Sequence, residues 1–178
     1  HSSATLTLTR RSPDMEEGFP GNLDVRVDYT LTDDNELRIE YTATTDRPTV
    51  VNLSNHSYFN LSGAKESVLG HYVRIFAKDY VVTDGDLIPT GEIAKVKGTP
   101  LDLRRWTRIG DRMDRLPNGF DNSYCVAGRS GRKPVLVAEL YDPVSGRELK
   151  TFTTQPGLCF YTAKTLNTRA NTRHGHPY

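Results

Sequence analysis

The sequence is short of several things, and each shortage removes a class of protein. It has two cysteines, Cys125 and Cys159, far apart and neither in a CxxC pair. That gives no basis for a disulfide framework and points to reduced, partly buried thiols in a cytoplasmic protein. Charge of one sign is lacking too. Twenty-three basic residues against 22 acidic ones leave a net charge of +1, so there is no electrostatic case for nucleic acid or an anionic membrane surface. No apolar run approaches the length of a membrane span. The N-terminal HSSATLTLTRR has no apolar block of the signal-peptide kind, and its leading His1 is read as a tag remnant. There is no P-loop, no GxGxxG, no metal-ligand cluster, no internal repeat and no low-complexity linker.

What is present is a set of short strands. The 178 residues suffice for one domain with a sizeable core, although 36% hydrophobic residues is low for a single compact one. Thr5 to Arg10 alternates. Leu23, Val25, Val27, Tyr29 and Leu31 face one way, and Asp24, Arg26, Asp28 and Thr30 the other. After the turn Asp33-Asp34-Asn35 the alternation resumes through Leu37, Ile39, Tyr41 and Ala43, which predicts an antiparallel hairpin with one wet face. Further strands are predicted at about Thr49 to Leu53, His71 to Ala77, Tyr80 to Thr83, Phe120 to Ala127, Val135 to Tyr141, Glu148 to Thr153 and Leu158 to Thr162. Leu101 to Leu116 is the one helix-like stretch, with Trp106, Ile109, Met113 and Leu116 at helical spacing and Gly110 limiting it to one or two turns. DGDLIPTGE reads as a loop. It lacks the Gly and Glu an EF-hand needs, because Pro89 and Lys95 stand there. The tail LNTRANTRHGHPY reads as loop, with His174 and His176 solvated. Many short strands with regular turns predict an all-β sandwich or barrel, here a single domain over 1–178.

One stretch is not called for by folding alone. Thr49 to Gly63, TVVNLSNHSYFNLSG, starts apolar and β-branched and then packs Asn52, Ser54, Asn55, Ser57, Tyr58 and Asn60 around His56. Buried amides and imidazoles must find partners, so a polar cluster this dense suggests a surface that grips something rich in hydroxyls. His56 alone in it exchanges a proton near neutrality in its ordinary state. The competing reading is a structural histidine among satisfied amides. Three closely spaced glycosylation sequons at Asn52, Asn55 and Asn60 fall inside this cluster, where a glycan would block it, and are read as coincidental.

Five segments, SPDMEEGFPGNLDVRVDYTL, VNLSNHSYFNLSG, DGDLIPTGE, NGFDNSYCV and TTQPGLCFYT, occur in this order from about Ser2 to Leu166. Together they resemble the aldose 1-epimerase (galactose mutarotase) family. The resemblance implies a distorted antiparallel β-sandwich (a supersandwich) with a sugar cleft on a concave face, and interconversion of the α and β anomers of hexoses such as galactose and glucose. It implies His56 as the general acid that protonates the ring oxygen, in chemistry that needs an acid and a base but no metal or redox cofactor. It implies Asp121 as a carboxylate that hydrogen-bonds sugar hydroxyls, against the alternative of a turn-capping Asp after Asn118-Gly119. Gln155 matches a position that contacts sugar in some members, and Asn55 and Tyr58 shape and orient His56.

The chain departs from the family in two respects. Asp121-Asn122-Ser123 stands where Asp-His-Asn is usual. Neither the family's earlier NxLHGG-type segment, whose His binds sugar, nor its later ETQ-type segment, whose Glu is the base, occurs among these residues. The chain therefore resembles the middle of a mutarotase. It is expected to have uncovered sheet surface and to need a flanking polypeptide as partner. Two alternatives follow. One is a non-catalytic carbohydrate-binding remnant. The other is a protein related to hexose-6-phosphate 1-epimerases, which would need Arg74, Arg104 or Arg105 to meet a phosphate.

Overall fold

The computed structural model describes residues 3–63, 66–127 and 133–164. They fall into two compact units, His1–Tyr58 and Phe59–Tyr178, both built of antiparallel strands as the all-β reading expects. Among the described residues no helix is long and apolar enough to cross a membrane.

The first unit is a three-stranded meander of β1 (Ser3–Ser12), β2 (Leu23–Thr32) and β3 (Leu37–Thr45). The expected hairpin is there. Leu31 lies opposite Leu37, and Asn35 takes the left-handed turn conformation at φ 59°, which Asn tolerates better than most residues. Residues directly opposite on paired strands share a face. The rows Leu6–Tyr29–Ile39 and Leu8–Val27–Tyr41 make one face apolar, while Thr7–Asp28–Glu40 and Thr9–Arg26–Thr42 make the other polar. Cross-strand bonds lace the polar face: Arg11 grips the Asp24 carboxylate at 2.8 and 2.6 Å, and the Thr5 and Thr30 hydroxyls meet at 2.8 Å. The apolar face is largely open to solvent, with Leu8 52% and Leu31 58% exposed.

The second unit holds β4 (Tyr72–Ile75), β5 (Asp79–Thr83), β6 (Pro89–Lys95), β7 (Thr107–Arg108), β8 (Asp121–Cys125), β9 (Val135–Tyr141), β10 (Glu148–Thr153) and β11 (Gly157–Tyr161). They form two four-stranded sheets, in the orders β10-β9-β4-β7 and β11-β8-β5-β6. One face of each supplies the core. Val73 and Ile75 of β4, with Ala138 and Leu140 opposite them on β9, pack in one cluster with Tyr80, Tyr124, Leu158 and Phe160 of the other sheet. Val96, Leu101, Leu103, Ile109 and Phe120 fill it from the connections. Phe120 is fully buried, its ring 5.0 Å from that of Phe160. The Tyr124 hydroxyl donates to the Leu101 carbonyl at 3.2 Å, and burial pushes its pKa well up.

Four local expectations change. No strand forms over 49–53: residues 48–60 carry no ladder. Val50 and Val51 favour β structure, but a strand exists only by pairing, and no described strand pairs with them. The helix-like stretch contracts to a 3₁₀ turn at Ile109–Arg115. Ile109, Met113 and Leu116 do pack inward, whereas Trp106 lies outside the turn and is exposed. Part of the DGDLIPTGE loop is strand, because Pro89 opens β6 at the edge of its sheet, where a missing N–H breaks no ladder. Cys125 is part-buried as expected, but Cys159 is exposed. Both are free, and the register sets them diagonally on one face of β8–β11, with Cys159 opposite Ser123 and Cys125 opposite Gly157. His174, His176 and the rest of the tail lie outside the described residues.

Candidate active site

The segment that carries His56 enters from β3 through a clamp that explains the turn-rich SPDMEEGFPGN motif. Asp46 accepts from the Asn22 amide N–H at 2.8 Å and from Asn22 Nδ2 at 2.7 Å. Arg47 pairs with Asp14, whose Oδ1 also accepts the Gly21 N–H at 2.7 Å. Gly21 sits at φ +85°, and a Cβ there would stand 2.8 Å from Thr45 Oγ1 and 3.2 Å from the Arg47 carbonyl. Only glycine lets the two backbones come this close.

Past the clamp, Asn55 Oδ1 accepts the Ser57 N–H at 3.1 Å. This is an Asx turn, a structure Asn forms with its own backbone, and it arches over His56. The imidazole is left exposed, with no hydrogen-bond partner among the described residues. Its ring lies 5.3 Å from that of Tyr58, tilted by 39°. Asn55 thus acts on the backbone beneath His56 and Tyr58 on the ring beside it.

The downstream end of the motif is fastened within the second unit, by a residue the sequence reading did not single out. Asn60 Oδ1 accepts from Ser62 N–H at 3.0 Å and Ser62 Oγ at 2.7 Å. The Leu61 N–H donates to His71 Nε2 at 3.1 Å, and the Leu61 carbonyl accepts from Ser145 Oγ at 3.2 Å and Arg147 Nη1 at 2.8 Å. His71 is fully buried. An Nε2 that accepts requires the neutral ring, with its proton on Nδ1. Nδ1 has no hydrogen-bond partner among the described residues; Asp142 Oδ1 lies 4.0 Å away. Burial lowers the His71 pKa, and the Asp142 carboxylate opposes that only in part. The one sequence signal was a histidine heading an alternating strand, HYVRIFA.

Asp121 and Gln155 lie in the second unit. The fully buried Phe120 fixes the start of β8, and alternation then turns Asp121 to the face away from the core. Thr162 Oγ1 takes the Phe120 N–H at 3.0 Å, and Gly119, at φ +76°, leaves no room for a Cβ against Thr162 and Lys164. The Asp121 carboxylate is exposed and caps no turn. Only its own N–H is engaged, by Asn122 Oδ1 at 3.3 Å. Gln155 is exposed in the β10–β11 turn, its N–H donating to Thr153 Oγ1 at 3.0 Å. Asp121 is opposite Tyr161, and Gln155 precedes the Gly157–Cys125 end of the same ladder. Four strand residues separate the two ends, roughly 13 Å, so the structure does not bring these side chains together.

Of the three arginines considered for a phosphate, two are engaged. Arg74 is bound to Glu139, and its guanidinium lies 4.8 Å from the Phe76 ring and 5.1 Å from the Trp106 ring. Arg104 grips Asp102 at 2.8 and 2.7 Å. Among the described residues no three His, Cys, Asp or Glu side chains stand close enough to hold a metal ion.

The strand-rich architecture and an exposed histidine on a polar turn define an all-β protein with a candidate acid–base site. Comparison with known proteins narrows this. The aldose 1-epimerase family model matches residues 1–176, and the chain belongs to that family. It is 44% identical to human galactose mutarotase over 175 residues, 97% of this chain and 50% of that protein. It is 38% identical to the aldose 1-epimerase of Escherichia coli (strain K12) over 160 residues, 87% of this chain and 46% of that one. Among solved structures, an aldose epimerase homologue from C. elegans superposes with a TM-score of 0.84 at 28% identity, covering 98% of this chain and 52% of that one. The galactose 1-epimerase of Lactobacillus acidophilus NCFM gives 0.77 at 30% identity, covering 91% and 48%. The chain spans about half the length of the curated relatives it matches.

Proposed function

We propose that this chain is the central part of a single mutarotase domain, to which both units belong, in a cytoplasmic aldose 1-epimerase acting on free hexoses such as galactose and glucose. The observation that carries the reading is the presentation of His56: an exposed imidazole without a hydrogen-bond partner among the described residues, beside the Tyr58 ring and held up by the Asn55 turn inside a motif the family shares. In this reading His56 donates its proton to the ring oxygen while the C1 hydroxyl yields its own to a base. The bond between C1 and the ring oxygen breaks, the resulting aldehyde rotates, and attack on its other face returns both protons. The base is the family's glutamate, whose ETQ-type segment has no match among these residues. Asp121 accepts from sugar hydroxyls, supported by an exposed carboxylate that no group among the described residues occupies. Gln155 makes an outer contact with sugar, and Asn55 and Tyr58 hold His56 in place. The open apolar face of the β1–β3 sheet, together with relatives about twice as long, supports a flanking polypeptide of the same protein as its cover.

Polarimetry of α-D-galactose tests this on the protein as purified from its source, after its intact mass has been compared with 20.0 kDa. The protein is expected to speed the approach to equilibrium rotation. His56→Ala is expected to reduce that rate at least about 100-fold, the scale of a lost general acid, without changing the melting temperature. Full activity in His56→Ala would overturn the assignment. The absent ETQ-type segment keeps one other reading in play: galactose binding by calorimetry with no acceleration of mutarotation would assign a non-catalytic carbohydrate-binding protein.

A further inference from the structure

A cleft on the second unit gathers positive charge that neither the fold nor the sugar chemistry uses. Its volume is about 560 Å³, and its charged lining is Lys97, Arg104, Arg105, Arg112, Arg115 and Asp102. Five cations and one carboxylate give a local excess of four positive charges, in a chain whose net charge is only +1. Asp102 is already committed to Arg104, and its charge is also felt by Arg112. Lys97, Arg105, Arg112 and Arg115 make no ion pair or side-chain hydrogen bond among the described residues.

The arrangement is built rather than incidental. Ile109, buried, and Met113 and Leu116, packed on the core, fix the 3₁₀ turn at Ile109–Arg115. With three residues per turn, Arg112 and Arg115 stand one above the other on the same side, where like charges repel. Arg112 Nε is buried with no acceptor among the described residues, a state native proteins rarely leave uncompensated. Across the cleft, Thr99 Oγ1 donates to the Val96 carbonyl at 2.7 Å and accepts the Leu101 N–H at 3.1 Å, which holds the Lys97–Gly98 corner.

We propose that this cleft binds a phosphate monoester on a sugar-sized body. Several guanidinium forks lining one cleft match an oxyanion with three acceptor oxygens better than a carboxylate with two. The volume lies in the range of small-molecule sites and leaves room beyond the phosphate itself. Neither Asp121 nor Gln155 lines the cleft, so the site does not depend on the sugar chemistry proposed above.

The test is calorimetric titration at 150 mM salt with glucose 6-phosphate, orthophosphate and glucose, on the wild-type protein and on the double variant Arg112→Gln/Arg115→Gln. Glucose 6-phosphate is expected to bind at least tenfold more tightly than orthophosphate, with no binding of glucose to this cleft. The double variant should weaken it at least tenfold and leave mutarotation of α-D-galactose unchanged. It should also melt no lower than wild type without ligand, since a like-charge pair has gone. Millimolar glucose 6-phosphate should raise the melting temperature of wild type only. The proposal is overturned by equal affinity for orthophosphate and the ester, by ester binding that survives the double substitution, or by binding confined to long polyanions such as heparin and abolished at 150 mM salt.

Discussion

Leu8 and Leu31 in the first unit and Val73 and Ile75 in the second sit on strands of the same kind, alternating apolar and polar. Their fates differ. The first two are more than half exposed, while the second pair is 3% and 1% exposed within a cluster of nine buried side chains. Alternation determines which side of a strand is apolar, but only a second layer buries that side. In the second unit that layer is the facing sheet and the 3₁₀ turn at Ile109–Arg115. The first unit has one sheet, stabilised mainly by its ladder and by exposed ion pairs, each of which contributes little.

Substitutions can sharpen or break this contrast. Phe120→Ala should cost about 3–5 kcal/mol by denaturant unfolding, the range for emptying a well-packed aromatic site. In the 178 residues by themselves, without a flanking polypeptide, Leu8→Ala should cost less than about 1 kcal/mol, as expected of an exposed side chain. A cost for Leu8→Ala equal to that for Phe120→Ala would mean the open face is covered in solution, and the contrast would fall.

His71→Ala should cost about 2–4 kcal/mol, through the cavity and the Leu61 N–H left without its acceptor. It also gives a pH signature. Because burial holds the His71 pKa below its ordinary value, the unfolded chain binds more protons than the folded one in that window, and stability rises with pH. The His71 contribution is complete above about pH 6.5 and is lost as pH falls toward the lower folded value. The difference in unfolding free energy between wild type and His71→Ala should therefore shrink between pH 7.5 and 5. An unchanged difference would remove the neutral-ring assignment.

Gly21→Ala should cost about 1–3 kcal/mol from the positive φ and the close backbone approach. It should also lower the mutarotase activity proposed above, because Gly21 positions Asp14 and through it Arg47 at the entry to the His56 segment. Loss of stability with full activity in the folded fraction would separate the clamp from the site.

Much of this was legible in the chain itself. The β2–β3 hairpin follows from alternation interrupted by Asp33-Asp34-Asn35, and β9 and β10 fall on the predicted residues, because strong period-2 patterns bounded by turn residues leave few alternatives. Weak patterns misled. Val50-Val51 has strand propensity but no partner. Pro89–Lys95 has a partner on β5 but a broken pattern. His56 stood out because polar residues crowd around it, and Asn55 as one of those residues that the family resemblance assigns to orienting His56. His71 did not stand out, since its partner at Leu61 is ten positions away and its burial depends on a strand pairing invisible in one dimension.

By itself, the sequence determined which residues alternate, where the turns fall, and that one dense polar motif surrounds a single histidine, because these are properties of neighbours in the chain. Only the tertiary structure decided the rest. It placed Asp121 away from the core with its carboxylate exposed, and Gln155 at the far end of the same ladder. It committed Arg74 and Arg104 to carboxylates, and gathered Arg105, Arg112, Arg115 and Lys97 around one cleft. Burial and charge pairing depend on groups brought together from distant positions, and the distances between those groups are set by strand register and packing rather than by spacing along the chain.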